Sequence, residues 1–448
     1  MNQNRPIRVA LLGAGSVGSQ VARILLENAE ELAARVGAPL LLTGIAVRNV
    51  DAKRDVDLPK ELFTDDAERL ILGSDIVIEL MGGIDPAKHL ISLALSTGAD
   101  VVTANKALVA AHGPELFDQA RRVGAQLTYE AAVAGAIPII RPLRDSLAGD
   151  RVERILGIVN GTTNFILDRM HTRGDSLEEA LRIATELGYA EADPTADIGG
   201  YDAQQKAAIL ASIAFHTEVP VELVHREGIT EITIEQIERA KAAGFVVKLL
   251  AICERVTGSD GVEGISARVY PALVDEQHPL ASVHGGNNAV FVQAQAAGDL
   301  MFYGAGAGGV ETASAVLGDL VSSARRRVNG GPGLGESTHA DLPVLEVGEI
   351  TTRYQIILEV HDRPGVLAEI AKVFSDFGVS VSTLEQRSAG AQDGAPAGPS
   401  AESAEGGATL VIGTHAATER ALSALAEALA AHEASRRVTG VLRVEGAL

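Results

Sequence analysis

A continuous apolar run at residues 7–12 leads directly into Gly13-Ala14-Gly15-Ser16-Val17-Gly18, and a helical pattern follows over residues 19–34. A buried strand, a G-x-G-x-x-G turn and a helix, in that order, are the context a dinucleotide fingerprint requires. The glycines permit a tight turn, close approach of backbone to a pyrophosphate, and close packing of the helix on the strand. The helix N-terminus adds free N–H groups and the positive end of its dipole for the phosphates. Gly13, Gly15, Ser16, Val17 and Gly18 are therefore candidate cofactor-binding residues. A glycine triplet alone says little. Its place after the first strand commits the N-terminal part of the chain to an α/β nucleotide-binding fold.

The strand predicted over residues 40–47 ends at Arg48. Sites that prefer NAD usually place a carboxylate here for the ribose hydroxyls. Arg48, Lys53 and Arg54 are basic instead and suit a 2′-phosphate, which favours NADP; Asp51 keeps NAD open, and ordinary solvated charge is the plainer alternative. The α/β rhythm continues with a strand over 75–80, a helix over 87–97, a strand over 100–103, a helix over 114–123 and a strand over 126–131. Strands alternating with helices make a doubly wound sheet, whose ligands sit beyond the carboxyl ends of the strands. Lys106 lies at such an end and is expected to face the cofactor crevice. The stretch EAAVAGAIP, from Glu130 to Pro138, offers carbonyls and one carboxylate to a hard cation. On its residues alone, a close-packed turn is the better reading.

Bulk properties narrow the function classes. The chain has 448 residues, enough for two to four domains, and its net charge of −21 argues against nucleic acid and anionic membrane surfaces as partners. A single cysteine, Cys253, permits no intrachain disulfide and fits a reducing compartment. No apolar run reaches membrane-spanning length and no signal-peptide pattern precedes the first strand, so a cytoplasmic location is expected.

From Arg151 the rhythm changes to an α+β pattern, with strands at 152–160, 246–256, 263–274 and 289–296 and helices at 165–172 and 176–187. Within it lies ELGYAEADPTADIGGYDAQQK, residues 186–206, which sets Glu191, Asp193, Asp197, Asp202 and Lys206 around a Pro/Gly turn. Asp202 and Lys206 are four apart and share one face of a helix. A surface ion pair is the plain reading. Against it, the helix that follows, AAILASIAF, is apolar nearly all round, so Lys206 is headed for burial. A buried lysine among carboxylates is costly and usually functional. A second glycine cluster, Gly304 to Gly309, precedes a helix over 311–325 and either packs the domains together or presents a helix N-terminus to the cofactor. Residues 328–351 read as a linker. The tail, 352–448, follows a β-α-β-β-α-β, ferredoxin-like order, and its Gly/Ala/Ser/Pro-rich stretch at 388–407 reads as a disordered insertion.

Taken together, GAGSVG, TANK, EAAVAGAIP, LGYAEADP…DIGGYDAQQK and YGAGAGG resemble homoserine dehydrogenase with a C-terminal ACT domain, in the family's order and spacing and over nearly the whole chain. The resemblance implies a Rossmann-like doubly wound domain at 1–150, an α+β catalytic and dimerisation domain at 151–327, and an ACT regulatory domain at 352–448. It implies NAD(P)H-dependent interconversion of aspartate 4-semialdehyde and homoserine, in threonine, methionine and isoleucine biosynthesis. In the family's pattern Lys206 matches the catalytic proton donor, Lys106 the second active-site lysine, and Glu191 and Asp202 the residues that hold the substrate. Asp197 lies in the same substrate-facing loop. Gly188 and Gly306 match later cofactor contacts. Glu130, Val133, Gly135 and Ile137 match a monovalent cation site, sodium by analogy, held mostly by backbone carbonyls. Threonine as effector and a homodimer or homotetramer are further expectations. The long tail insertion departs from the family and bears on the effector response.

Two rivals are weighed against this. A phosphorylating aspartate-semialdehyde dehydrogenase needs a cysteine nucleophile, but Cys253 sits in an apolar strand and reads as core. A non-catalytic amino-acid sensor would have no need of the Lys106, Glu191, Asp202 and Lys206 set.

Overall fold

The computed structural model of the chain describes residues 5–258, 261–331, 335–388 and 407–445. The first sheet comprises β1 (Ile7–Leu12), β2 (Leu40–Ala46), β3 (Phe63–Thr64), β4 (Ile76–Glu79), β5 (Asp100–Thr103) and β6 (Leu127–Thr128). Its order is β3-β2-β1-β4-β5-β6 and every pair is parallel. Winding therefore reverses between β1 and β4, which opens a crevice beyond the carboxyl ends of these strands. The strands are covered on both faces, which is why they read as unbroken apolar runs. The connections carry α1 (Ser16–Glu27), α2 (Ala29–Val36), α3 (Ala67–Leu72), α4 (Ala87–Ser96) and α5 (Lys106–Val123). Val21 and Leu25 pack on one face, Ile91 and Leu116 on the other.

Two helices differ from the sequence reading. The helix predicted over 19–34 begins at Ser16, inside the glycine turn, and breaks at Asn28 into two. The helix predicted from Pro114 begins at Lys106 and carries Pro114 in its interior. Asn105 caps it, the side chain accepting from the Leu108 N–H at 3.2 Å. Buried Leu108, Val109 and Leu116 anchor it against the roughly 3 kcal/mol that an interior proline costs.

The second sheet begins with β7 (Val152–Ile158), β8 (His225–Arg226), β9 (Phe245–Thr257), β10 (Glu263–Asp275), β11 (Asn287–Ala294) and β12 (Gly298–Ala305). Against it lie α6 (Gly161–Arg173), α7 (Leu177–Glu186), α8 (Thr195–Ile198), α9 (Tyr201–Phe215) and α10 (Ile234–Ala242). Gly161 to Asn164, which lie before the helix predicted over 165–172, form the first turn of α6, with Asn160 as cap. Gly304 and Ala305, read as part of the second glycine cluster, belong to β12, which pairs antiparallel with β11. After β12, α11 (Gly309–Asn329) returns to the first sheet, where Val316 and Leu320 join the core around Val21 and Leu25.

The tail contains β13 (Thr351–Thr352), β14 (Tyr354–His361), α12 (Val366–Asp376), β15 (Val381–Ser388), β16 (Gly407–Thr414), β17 (Ala417–Thr418), α13 (Glu419–Ala431) and β18 (Ser435–Glu445). Setting aside the two-residue ladder of β13 and β17, this is the expected β-α-β-β-α-β order. The predicted insertion at 388–407 falls almost wholly on residues 389–406, outside the described residues. The tail is not a separate bead: β18 pairs parallel with β10, Ala272 opposite Arg443 and Val274 opposite Glu445, so one sheet runs through both units. The stretch predicted as a linker is likewise tied down. Pro343 O accepts from Ile265 N at 2.9 Å, Leu345 N donates to Ile265 O at 2.8 Å, and Tyr129 Oη donates to Glu336 at 2.7 Å. Among the described residues no helix is long and apolar enough to cross a membrane.

Candidate active site

The glycine loop forms the floor of the crevice. Gly13 has φ of 100°, and a Cβ there would lie 2.7 Å from Leu80 O. A Cβ on Gly18 would lie 2.1 Å from Gly13 O, so this glycine seats α1 on the turn. A Cβ on Gly15 meets nothing within 4 Å, so this position lies open, as close approach of a pyrophosphate to the backbone would require. Ser16 and Val17 begin α1 and place its N-terminus at that space. The loop thus fits a dinucleotide. The second glycine cluster meets the first, since a Cβ on Gly309 would lie 3.0 Å from Ser16 O. Of the basic residues after β2, Arg48 is exposed at the strand's end. Arg54 is occupied in folding its own loop, donating to Asn49 O at 2.9 Å and Ala52 O at 2.8 Å.

Across the crevice, α9 carries Asp202 and Lys206 one turn apart, both buried. Lys206 Nζ donates to Asp202 Oδ2 at 2.7 Å and to Val159 O at 2.6 Å. Lys106, on the first turn of α5 in the other domain, reaches Asp202 Oδ1 at 2.8 Å. One carboxylate thus joins two ammonium groups from two domains. Burial by itself would raise the Asp202 carboxyl, but the charges of Lys206 and Lys106 outweigh it and hold the group well below the usual carboxylate range. Burial opposes the charge on Lys106, and the Asp202 carboxylate more than offsets it, raising the ammonium above its ordinary value.

A residue the sequence reading passed over completes the group. Asn160, the cap of α6, donates through Nδ2 to Asp202 Oδ2 at 2.9 Å and to Asp197 Oδ1 at 2.7 Å. Its Oδ1 accepts from the Thr163 N–H at 2.8 Å, so both ends of the amide are fixed. Asp197, on the short helix α8, is raised above its ordinary value by burial and by neighbouring Asp202, opposed by the Asn160 hydrogen bond. Glu191 is exposed in the loop before α8, close enough that its charge acts on Lys106. Gly188 lies exposed at the end of α7 with φ of 79°. The fragment Gly188–Tyr189 borders the site through Thr162, whose hydroxyl donates to Tyr189 O at 2.6 Å. Asn160 and the two lysines thus meet on Asp202, and Asp197 is tied to the group through Asn160.

The proposed cation turn shows strain in its backbone. Ala134 and Gly135 both have φ of 58°, uncommon for alanine. A Cβ on Gly135 would lie 2.4 Å from Gly306 O, so the two glycines at separate predicted sites are pressed together. The Glu130 carboxylate is not free to ligate an ion. It accepts from Ile139 N at 2.6 Å, Ile140 N at 2.8 Å, Arg141 N at 2.9 Å and Arg141 Nε at 2.9 Å. It caps the helical turn that follows, as an anion at a helix N-terminus does, so of the atoms expected to ligate a cation only the backbone carbonyls of Glu130, Val133, Gly135 and Ile137 remain as candidates. Nearby Asp319, accepting from Glu130 N at 2.8 Å, is pushed up to about 6 by burial. Among the described residues no cluster of three or more His, Cys, Asp or Glu side chains is placed to hold a metal.

Comparison with known proteins agrees along the chain. The family pattern of homoserine dehydrogenase matches residues 138–321, that of the homoserine dehydrogenase NAD-binding domain residues 13–130, and that of the ACT domain residues 354–434. A homoserine dehydrogenase of Corynebacterium glutamicum is 51% identical over 441 residues, 98% of this chain and 96% of that protein. The crystal structure of a homoserine dehydrogenase from Thiobacillus denitrificans aligns with a TM-score of 0.88 at 37% identity, covering 99% of each chain. A hyperthermophilic archaeal homoserine dehydrogenase in complex with NADPH aligns at a TM-score of 0.60 and 28% identity, covering 74% of this chain and all of that one, 100%. The chain belongs to the homoserine dehydrogenase family, NAD(P)-dependent oxidoreductases acting on a CH–OH group, in the form that carries a C-terminal ACT domain.

Proposed function

We propose that the cleft between the two domains reduces the aldehyde of L-aspartate 4-semialdehyde to L-homoserine, with Lys206 as the proton donor. The observation that carries this reading is the pair of ammonium groups, Lys106 and Lys206, converging within 2.8 Å on the one buried carboxylate of Asp202. The reduced dinucleotide would supply the hydride from its nicotinamide, with its pyrophosphate held by Gly13, Gly15, Ser16, Val17 and Gly18 and with Gly188 and Gly306 as later contacts. As negative charge develops on the carbonyl oxygen, an ammonium within hydrogen-bond reach stabilises it and delivers a proton. Asp202 orients Lys206 and keeps two like charges together at the site. Glu191 and Asp197 supply negative charge for the substrate's ammonium group.

NADP(H) is the proposed cofactor, with NAD(H) second, because Arg48 is exposed at the end of β2 and free for a 2′-phosphate. The strained turn from Glu130 to Ile137 is proposed to hold a monovalent cation, sodium, through carbonyls; hard cations take such oxygen donors. The domain limits proposed are 1–150 for cofactor binding, 151–327 for catalysis and dimerisation, and 352–448 for regulation, with threonine as effector. The protein is proposed to be cytoplasmic. A homodimer or homotetramer is favoured; the tail edge at β18 is already paired with β10, which leaves β15, with Leu384 50% exposed, as the open edge for a partner.

The test is loss of absorbance at the reduced-nicotinamide band with aspartate 4-semialdehyde and NADPH or NADH in parallel, with and without threonine. Faster consumption of NADPH supports the role of Arg48, and slowing by threonine assigns the tail. No consumption with either cofactor, by folded protein that still binds nucleotide, returns the sensor reading. A monomeric mass by light scattering overturns the oligomer.

A further inference from the structure

Helix α9 carries Asp202 and Lys206, yet its own N-terminus has no side-chain cap: the position is Gly200, with φ of 80°. Residues 225–229 hold it from outside. A Cβ on Gly228 would lie 2.2 Å from Ile198 O and 2.7 Å from Gly199 Cα, so the two segments touch backbone to backbone. Ile229 N donates to Ile198 O at 2.8 Å. Arg226 donates to Gly199 O, and its guanidinium lies 3.6 Å from the ring centroid of Tyr201, the first residue of α9. The holding segment is itself fixed, since β8 pairs with β10 and Glu227 N donates to Val269 O at 2.7 Å.

The next side chain along faces the other way, as successive residues of an extended segment do. Glu227 accepts from both Nη atoms of Arg443 in β18, at 2.8 Å each, and pairs with His225 Nε2 at 2.8 Å. Burial works against the Glu227 charge, but the His225 and Arg443 hydrogen bonds prevail and hold its carboxyl at about 2. Arg443 is anchored in the tail by Glu419, at 2.8 Å from Nε, and lies 4.3 Å over the ring of Tyr270. A planar, two-pronged contact of this kind fixes direction as well as distance.

On the reading of Asp202 and Lys206 as the reacting groups, we propose that Arg226, Glu227 and Arg443 are positioning residues for the reaction. The C-terminal domain, through Arg443 and Glu227, sets the segment 225–229, and Arg226 on its far side sets the start of α9. The tail is thereby part of what holds the lysine and its carboxylate in register with the substrate. Reacting groups displaced by about 1 Å lose up to about a hundredfold in rate.

The experiment uses the full chain and the variants Glu227→Gln, Arg443→Gln, Arg226→Met, the double variant Arg226→Met/Arg443→Gln, and Lys206→Ala. Arg437→Gln, which removes an exposed pair with Glu359 inside the tail, is the control. Read-outs are kcat and KM for homoserine oxidation, the dissociation constant of the reduced cofactor by its fluorescence, and the thermal midpoint. Glu227→Gln and Arg443→Gln are expected to lower kcat about tenfold while cofactor affinity stays within about twofold. Arg226→Met lowers kcat further, and in its background Arg443→Gln adds less than about twofold, because Arg443 acts through Arg226. Arg437→Gln leaves all values unchanged. Should Arg443→Gln fail to fold, Glu227→Gln decides alone, its side chain being 41% exposed and the replacement isosteric. Unchanged kcat in folded Glu227→Gln overturns the proposal. So does a full additional tenfold loss from Arg443→Gln in the Arg226→Met background, or an equal loss of cofactor affinity. Full turnover in Lys206→Ala would instead overturn the reading on which the proposal rests, which the inactive Lys206→Ala with active Glu227→Gln does not.

Discussion

Replacing Asp202 by Asn keeps the shape of the side chain and removes its charge. In the native site one carboxylate faces Lys206 Nζ at 2.7 Å, Lys106 Nζ at 2.8 Å and Asn160 Nδ2 at 2.9 Å. The variant leaves Lys206, 11% exposed, with Val159 O and one amide oxygen at best. Removing one member of a buried ion pair costs about 3–5 kcal/mol, and the surviving acceptors place this case near the lower end, about 3 kcal/mol. Lys106 is 40% exposed, so solvent screening limits its share to under about 1 kcal/mol. The sum of about 3–4 kcal/mol lowers the midpoint of the catalytic unit by roughly 6–16 °C. Turnover should fall at least about a hundredfold, because the proposed proton donor, Lys206, loses its orienting partner. The pH dependence has a definite sign. Asp202's folded pKa is depressed, so its contribution is fully present above the unfolded value of about 3.9 and is lost as pH falls through the folded value. Calorimetry of native and variant protein from pH 3.5 to 8, with steady-state kinetics at pH 7.5, measures both effects. The stability gap should be constant from about pH 5 to 8 and narrow below about pH 4. A variant within about 2 °C of the native midpoint, with turnover within about threefold, would refute the shared-carboxylate argument.

Gly15→Ala, at a position open for 4 Å, should keep the thermal midpoint and weaken cofactor binding about tenfold. Gly18→Ala, whose Cβ would sit 2.1 Å from Gly13 O, should lower the midpoint as well, and equal midpoints in calorimetry would contradict the distinction. Arg48→Ala should raise KM for NADPH several-fold and leave that for NADH unchanged, and parallel changes in both would remove Arg48 from cofactor choice. Cys253 is fully buried, its thiol pushed up to about 12 by burial with Sγ 3.4 Å from Ala207 O. Cys253→Ala should therefore keep full turnover, and the native thiol should resist alkylation until the protein unfolds; loss of turnover in folded Cys253→Ala would revive a thiol mechanism.

What the sequence revealed follows from where each signal resides. β1, β4 and β5 lie between helix layers, so their apolar runs and the glycine turn after β1 were legible directly. The same holds for Asp202 and Lys206, which are one helical turn apart, and for the burial of their helix. Pro114 misplaced the start of α5, because capping by Asn105 and packing outweighed the proline signal. Gly298 and Asp299 hid β12, whose place is secured by its pairing with β11 rather than by its composition. Asn160 read as the end of a strand; its grip on two carboxylates depends on folding α6 against α9, which no local pattern records. The Lys106–Asp202 contact, the joining of β10 to β18 and the Arg443–Glu227 pair are all long-range. Residue spacing carries no information about such contacts, and only the folded chain brings them together.

The most direct test of the central claim is Lys206→Ala, followed at the reduced-nicotinamide band with aspartate 4-semialdehyde, alongside the dissociation constant of the reduced cofactor. Turnover should fall by about 10²–10⁴ while cofactor affinity stays within about twofold, as expected of a group that acts on the developing oxyanion. Retained turnover, or equal losses in turnover and cofactor affinity by a folded variant, would contradict Lys206 as the proton donor.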